Sequence, residues 1–341
     1  MYKILTLFFY CLFKKIHIYF YNKYILHCEG NKKNMEAISV VNLTKDYGLG
    51  RGVFEVNLSI EQGEVYGFLG PNGAGKSTTI RHLMGFSKPD SGETKILGKN
   101  TFKYYDSILE HVGYLPGEIA LPSGLTIKEF LRMMKELRNI KDDTKTKELI
   151  EMFELGLNGD LKSMSLGQKR KLAVVTAFMH DPDILILDEP TSGLDPLMQE
   201  VFIGYIMEEK KRGKTILLSS HIFSEIDATC DKISIIKDGR IVDEFITNDL
   251  KHNAIKVYVI QFSKLHDLEK FVETMDKSGF SETIEKKIES KSCMINVNEI
   301  YTNELIEAMF TCNAVDVSEK KISLQEYFMK FYKEDRTYVT V

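Results

Sequence analysis

Eight residues, "GPNGAGKS" from Gly70 to Ser77, restrict this chain more than any other stretch. They fit G-x-x-x-x-G-K-S and lie between a strand-like "EVYGFLG" (64–70) and a helical run from about Lys76 to Met84, which Gly85 stops. Gly73 and Gly75 let the backbone turn its N–H groups inward around an anion, where a side chain would block the approach. Gly70, Pro71, Asn72, Gly73, Ala74 and Gly75 form the turn. Lys76 is then placed for β- and γ-phosphates, Ser77 for Mg²⁺, and Thr78 for the α-phosphate at the helix N-terminus.

Other segments repeat the same alternation. "DILILDEP" (183–190) and "KTILLSSH" (214–221) are short, Leu- and Ile-rich runs of the kind buried on both faces of a parallel sheet. "DKISIIKDGRIVDE" (231–244) reads as an antiparallel hairpin around Asp238-Gly239. Between Thr126 and Met164 the pattern is helical and begins with a capping box, Thr126 with Glu129. Strands alternating with helices predict an α/β domain with a largely parallel sheet. Near residues 248–253 the pattern resets, and a β-α-β-β-α-β order follows, the ferredoxin-like one. On one face of its first helix stand Leu265, Leu268, Phe271, Val272 and Met275.

Asp188 ends a buried strand and Glu189 follows it at once. Two adjacent carboxylates beside a polyphosphate need a cation, or one must hold a proton. Mg²⁺ resolves this, with Asp188 in the metal shell and Glu189 free to orient and deprotonate an attacking water. His221 ends another strand on the same carboxyl edge, where ligands bind in open α/β sheets.

"SMSLGQKRKL" (163–172) poses an electrostatic question. Ser165 and Gln168 read as a second capping box, yet Lys169, Arg170 and Lys171 crowd the first turns of the helix, where the dipole disfavours cations.

Taken in order, these motifs resemble the ATP-binding subunit of an ATP-binding cassette (ABC) transporter over about residues 36–245. "GPNGAGKS" resembles the Walker A loop, "MSLGQ" (164–168) the LSGGQ signature, and "LILDE" (185–189) Walker B with its catalytic Glu. "SGLD" (192–195) resembles the D-loop, "SSH" (219–221) the switch His, and Tyr47 the aromatic on which adenine stacks. The resemblance implies ATP and Mg²⁺ as cofactors and two copies paired head to tail. Ser165, Gly167 and Gln168 of one copy would then meet the nucleotide on the other, with Asp195 beside the partner's Walker A loop. A triphosphate there would offset the cations of the signature helix; the alternative is that Lys169 to Lys171 are simply solvated. The sequence departs from the family at Leu166, where Gly is usual, and at "VGYLPGE" (112–118), where Gly117 replaces a Gln that touches Mg²⁺ and water. Glu118 is the candidate replacement ligand.

The implied fold is a P-loop NTPase ABC cassette, a mixed sheet plus a helical subdomain, with a small α+β C-terminal domain. The expected divisions are an extension over 1–34, the cassette over 35–249, a ferredoxin-like domain over 250–335 and a tail over 336–341. Residues 1–34 are rich in aromatics, but their clean apolar run, Ile4 to Phe13, is too short to span a bilayer. The implied function is that of an ATPase at the cytoplasmic face of the membrane, driving a separate polytopic permease of the drug- or bacteriocin-export branch. A net charge of −4 argues against nucleic acid as a partner. The five cysteines show no metal-ligand spacing. A soluble ATPase clamp and a nucleotide-gated regulatory subunit of low turnover are the competing readings.

Overall fold

The computed structural model describes residues 36–247, 255–278, 281–298, 301–320 and 324–331. The expected extension, the tail and the 249/250 boundary lie outside the described residues. The first part of the chain runs β1 (Glu36–Asp46), β2 (Gly52–Glu61), β3 (Val65–Leu69), α1 (Lys76–Leu83), β4 (Ser91–Ile96), β5 (Lys99–Asn100) and α2 (Tyr105–Leu109). It continues with β6 (Val112–Leu115), α3 (Ile127–Leu137), α4 (Thr144–Met152), α5 (Leu166–Phe178), β7 (Ile184–Asp188) and α6 (Pro196–Lys211). Strand β8 (Thr215–Ser220), α7 (Phe223–Thr229), β9 (Lys232–Lys237) and β10 (Arg240–Ile246) follow.

Strands β3, β7 and β8 are buried at every residue, which is why they read as unbroken apolar runs rather than alternating ones. They form the centre of a six-stranded sheet in the order β10-β9-β3-β8-β7-β6, parallel except for β10. Register places Leu69 opposite Ser220 and Asp188 opposite Ser219. The chain therefore leaves three neighbouring strands at one edge, with Gly70, Glu189 and His221 as the next residues. Strands β1, β2, β4 and β5 make a separate antiparallel sheet in the order β2-β1-β4-β5. An apolar cluster that includes Ile38, Val53, Phe68, Ile80 and Leu217 joins this sheet to the first. The capping box at Thr126 is complete: Thr126 accepts from the Glu129 N–H, and Glu129 accepts from the Thr126 N–H at 2.8 Å.

The C-terminal part consists of β11 (Ile255–Phe262), α8 (Leu265–Ser278), β12 (Ser281–Lys287), β13 (Ser292–Asn298), α9 (Thr302–Thr311), β14 (Ala314–Lys320) and α10 (Leu324–Lys330). Its strands pair antiparallel in the order β12-β13-β11-β14. Leu268, Phe271, Val272 and Met275 are buried against that sheet, whereas Leu265 is more than a third exposed at the start of its helix. Helix α10 leaves this layer and packs on the cassette. Phe328 stacks edge-on against Phe223 of α7 at 5.0 Å, and Tyr327 against Phe245 at 5.1 Å. Tyr327 Oη also donates to Asp243 Oδ2 at 2.6 Å, and Lys237 Nζ to the Phe331 carbonyl at 3.0 Å. A helix distant in sequence thus joins the main core beside α7.

Phe328→Ala removes most of a buried aromatic and should destabilise the chain by about 3 kcal/mol. Urea unfolding of the full chain measures this; a loss below about 1 kcal/mol would mean that α10 is only loosely docked.

Candidate nucleotide site

Helix α1 starts without a side-chain cap and carries no acidic residue in its first turn. Its first N–H groups have no partner within the helix and face the turn that precedes it. Gly75 takes φ 112° at the cap position, and a Cβ there would lie 2.8 Å from Val53 Cγ1, so strand β2 and the loop meet only because the residue is Gly. Lys76 is 5% exposed. Its ammonium donates to the Gly70 carbonyl at 2.5 Å and the Pro71 carbonyl at 3.2 Å, and lies 3.0 Å from Glu189 Oε1.

Glu189 sits at φ 48°, left-handed for a side chain that gains nothing from it locally, a placement that costs about 1–3 kcal/mol and clusters at functional sites. Its N–H is held by the Ser219 carbonyl at 3.0 Å. That strained turn places the carboxylate between Lys76 and His221: Oε1 faces Lys76, and Oε2 accepts from His221 Nδ1 at 2.6 Å. The Oε1 contact is an ion pair without an aligned hydrogen bond. Asp188 is buried behind it and accepts from Ser219 Oγ.

Two adjoining cavities share Asn72, Ser77 and Glu189. The larger, about 650 Å³, is also bordered by Gly117, Glu118, Asp188 and His221; the smaller, about 140 Å³, by Pro71, Gly73, Gly75, Lys76 and Thr78. The structure therefore gathers the loop, both carboxylates, Glu118 and the His around one space. Ala74 is buried beneath the loop, and a Cβ on Gly70 would strike the Ile236 carbonyl at 2.6 Å. Tyr47 stands half-exposed on the turn between β1 and β2.

Ser165, Gly167, Gln168 and Asp195 border neither cavity. Ser165 caps α5 by accepting from the Gln168 N–H at 3.3 Å, one half of the expected capping box. Asp195 caps α6 through the Met198 N–H at 3.0 Å. Leu166 is 61% exposed, and its side chain covers Gly193, where an added Cβ would meet Leu166 Cγ at 2.9 Å. The unusual Leu therefore rests on the D-loop.

The cations of the signature helix are not simply solvated, as one of the two sequence-based readings has it. Arg170 and Lys171 are buried rather than solvated. Arg170, 2% exposed, donates to the Ser192 carbonyl at 2.9 Å, the Pro116 carbonyl at 2.9 Å and the Gly117 carbonyl at 2.7 Å. Burial lowers its pKa, and the carboxylates of Asp188 and Glu189 act in the opposite direction. The guanidinium thus ties the signature helix to the segment carrying Gly117 and to the D-loop. At Gly117 a Cβ would stand 3.0 Å from Asp188 Oδ2, so a Gln at this position would crowd the Asp188 carboxylate with its first side-chain atom. Sequence reasoning missed Arg170 because it hides in a basic run. It missed Ser219 because a Ser at a strand end carries no distinctive signal.

Among the described residues there is no cluster of three His, Cys, Asp or Glu able to hold a metal by itself, and no helix long and apolar enough to cross a membrane. Cys230, Cys293 and Cys312 are buried and free.

This arrangement suits the terminal phosphate of a nucleotide: a buried ammonium and free helix N–H groups for the anion, and an adjacent carboxylate to act as base. The family described as ABC transporter matches residues 53–192. The chain is 34% identical over 301 residues to the bacitracin transport ATP-binding protein of Bacillus licheniformis, covering 86% of this chain and 96% of that one. It is 35% identical over 242 residues to the daunorubicin/doxorubicin resistance ATP-binding protein of Streptomyces peucetius, covering 70% and 73%. A solved ATP-binding subunit of an ABC transporter aligns with a TM-score of 0.58 at 30% identity, over 63% of this chain and 92% of that one. A dimeric cassette in a post-hydrolysis state with ADP and Pi aligns with a TM-score of 0.56 at 25% identity, over 62% and 98%. The chain belongs to the ATP-binding subunits of ABC transporters. It is an ATP hydrolase.

Arg170→Lys keeps the charge but loses the planar fork that reaches three carbonyls, and should destabilise the chain by about 2–3 kcal/mol. Urea denaturation at pH 7 measures it; an unchanged midpoint would show that the three carbonyls find other partners.

Proposed function

We propose that this ATPase works as a pair of copies on the cytoplasmic face of a membrane and powers a separate permease that exports a drug, peptide or lipid-like substrate. The observation that carries the reading is the row Lys76–Glu189–His221 at one sheet edge. The export branch is supported by the likeness to bacitracin and daunorubicin/doxorubicin proteins over most of both chains.

In this reading adenine stacks on Tyr47, and the phosphates lie along Gly70 to Thr78, held by the N–H groups of α1 and by Lys76. The incoming γ-phosphate competes with Glu189 for the ammonium. Once released from Lys76, the Glu189 carboxylate orients a water and takes its proton as the water attacks the γ-phosphorus and ADP leaves. His221, donating through Nδ1, fixes the carboxylate in the direction of that water. Ser77, Asp188 and Glu118 offer hard oxygen atoms around one cavity, which suits Mg²⁺, an ion that takes few protein ligands and fills its shell from phosphate and water. Bound there, Mg²⁺ supplies charge neutralisation to the β- and γ-phosphate oxygens.

The second copy is supported by the exposure of Ser165 at the N-terminus of α5, a helix without acidic residues in its first turn. That end, with the Gly167 N–H and Gln168, is turned to the γ-phosphate bound by the partner, and Asp195 lies across the pair from the partner's phosphate loop. The helical region over about 117–163 receives the permease.

Glu189→Gln should reduce phosphate release about 10²-fold or more with ATP still bound; turnover within a few-fold of the parent chain would refute Glu189 as the base. Glu118→Ala should raise several-fold the Mg²⁺ concentration giving half-maximal turnover. Unchanged activity and Mg²⁺ dependence in both Glu118→Ala and Glu118→Gln would remove Glu118 from the metal shell.

A further inference from the structure

Helix α7 begins two residues after His221, and its Glu225 points back into the protein with 1% of its surface exposed. Glu225 Oε2 accepts from Ser220 Oγ at 2.6 Å and from Thr191 Oγ1 at 3.4 Å. Ser220 immediately precedes His221, and Thr191 is two residues beyond Glu189. The other oxygen, Oε1, is buried without a hydrogen-bond partner. A buried carboxylate with one unsatisfied oxygen is costly, and neither hydroxyl bond is needed to form α7.

We propose that Glu225 is a positioning residue for hydrolysis, a buried carboxylate that braces the strand end carrying His221 against the turn carrying Glu189. The brace reaches the left-handed Glu189 turn through Thr191, while Lys76 meets the Glu189 carboxylate itself. Ser220 relays it further, since its Oγ accepts from the Ile222 N–H at 3.0 Å and so shapes the backbone on both sides of His221. The ionised carboxylate is the bracing form, because both of its contacts are donated to it.

Burial pushes the Glu225 carboxyl up to about 7, and the charge of Glu189 acts in the same direction. On its own helix end the titratable neighbour is Cys230, whose thiol burial holds up near 12 and therefore neutral. Lys210 of α6 reaches the far end of the helix, at the Thr229 carbonyl and Asp231. Strand β3 meets the helix at Gly67 and helix α10 at Phe328, neither of which titrates. Since the folded pKa is raised above the ordinary carboxylate value, the native state takes up a proton that the unfolded chain does not between about pH 4.5 and 7. Folding stability from this group is therefore greatest at the acid end and falls as pH rises through 7, while the bracing form grows in. Activity and stability are set in opposition.

The test is steady-state phosphate release by the full chain with saturating MgATP between pH 5.5 and 8.5, alongside thermal unfolding over the same range. The proposal rests on Glu189 and His221 as the hydrolytic pair, and that reading fails separately, if Glu189→Gln retains turnover. In the parent chain kcat should fall on acidification with a midpoint near 7. Glu225→Gln should lose that limb, with kcat lowered about tenfold, KM for ATP within twofold, and a higher melting temperature than the parent at pH 8. A Gln variant that keeps the limb overturns the proposal, because the proton then sits elsewhere, His221 included. Should Glu225→Gln not fold, Ser220→Ala and Thr191→Val carry the test. Each should lower kcat several-fold at unchanged KM, and their double variant should be less impaired than the product of the two losses; independent, multiplying losses would overturn the shared brace.

Discussion

A buried ammonium must have negative charge or carbonyl dipoles around it, and the site is organised by how Lys76 meets that need. At 5% exposure it takes two carbonyls of its own loop and the Glu189 carboxylate. Each partner is supplied by a different constraint. The carbonyls come from the Gly-rich turn, whose path depends on φ 112° at Gly75. The carboxylate comes from a strained residue pinned to the neighbouring strand by the Ser219 carbonyl. Strand register brings the two together, since β3, β8 and β7 end within one residue of each other. In the cycle we propose, a phosphate at the uncapped start of α1 is a stronger partner for Lys76 than a single carboxylate, so its binding would free Glu189 to act as base.

Arg170 applies the same rule one layer away. It is a second buried cation, satisfied by three carbonyls on two loops, and it fastens the signature helix to the segment around Gly117 and to the D-loop. Gly117, close to Asp188, is thereby linked through Arg170 to the helix whose exposed end we assign to the partner's nucleotide. The absence of the customary Gln is easier to understand in this light. A side chain at position 117 would crowd the Asp188 carboxylate with its own Cβ, and Glu118 is the next side chain on the cavity wall.

Residues whose neighbours in sequence are also their neighbours in function were legible from the start. The phosphate loop, with its flanking strand and helix, is one such element, and Asp188-Glu189 at the end of an all-buried strand is another. The capping box at Thr126 needed only four residues and formed as expected, whereas the one at Ser165 formed by half. What the sequence hid is what depends on distant backbone. Strand β6 has four residues and a Gly, yet Gly113 is required because a Cβ would lie 2.3 Å from the Ala177 carbonyl of α5. The separate sheet of β1, β2, β4 and β5 is invisible to local patterning: β2 alternates buried and exposed residues while β3, β7 and β8 are buried throughout, yet nothing within a strand names the partner it pairs with. Arg170 looks like one of three surface cations, and Glu225 like an ordinary first-turn acid. Docking of α10 on Phe223 joins residues about a hundred positions apart, and nothing in "SLQEYFMKFY" names its partner.

The central claim is that one triphosphate is held between Lys76 of one copy and the Ser165 end of α5 in another. Sedimentation velocity of the Glu189→Gln chain, with and without MgATP, tests it most directly. The expected result is conversion from one copy to two on adding MgATP, abolished by Ser165→Glu, which places a negative charge at the helix end. A chain that stays single under saturating MgATP, alone and with its permease, would contradict the account.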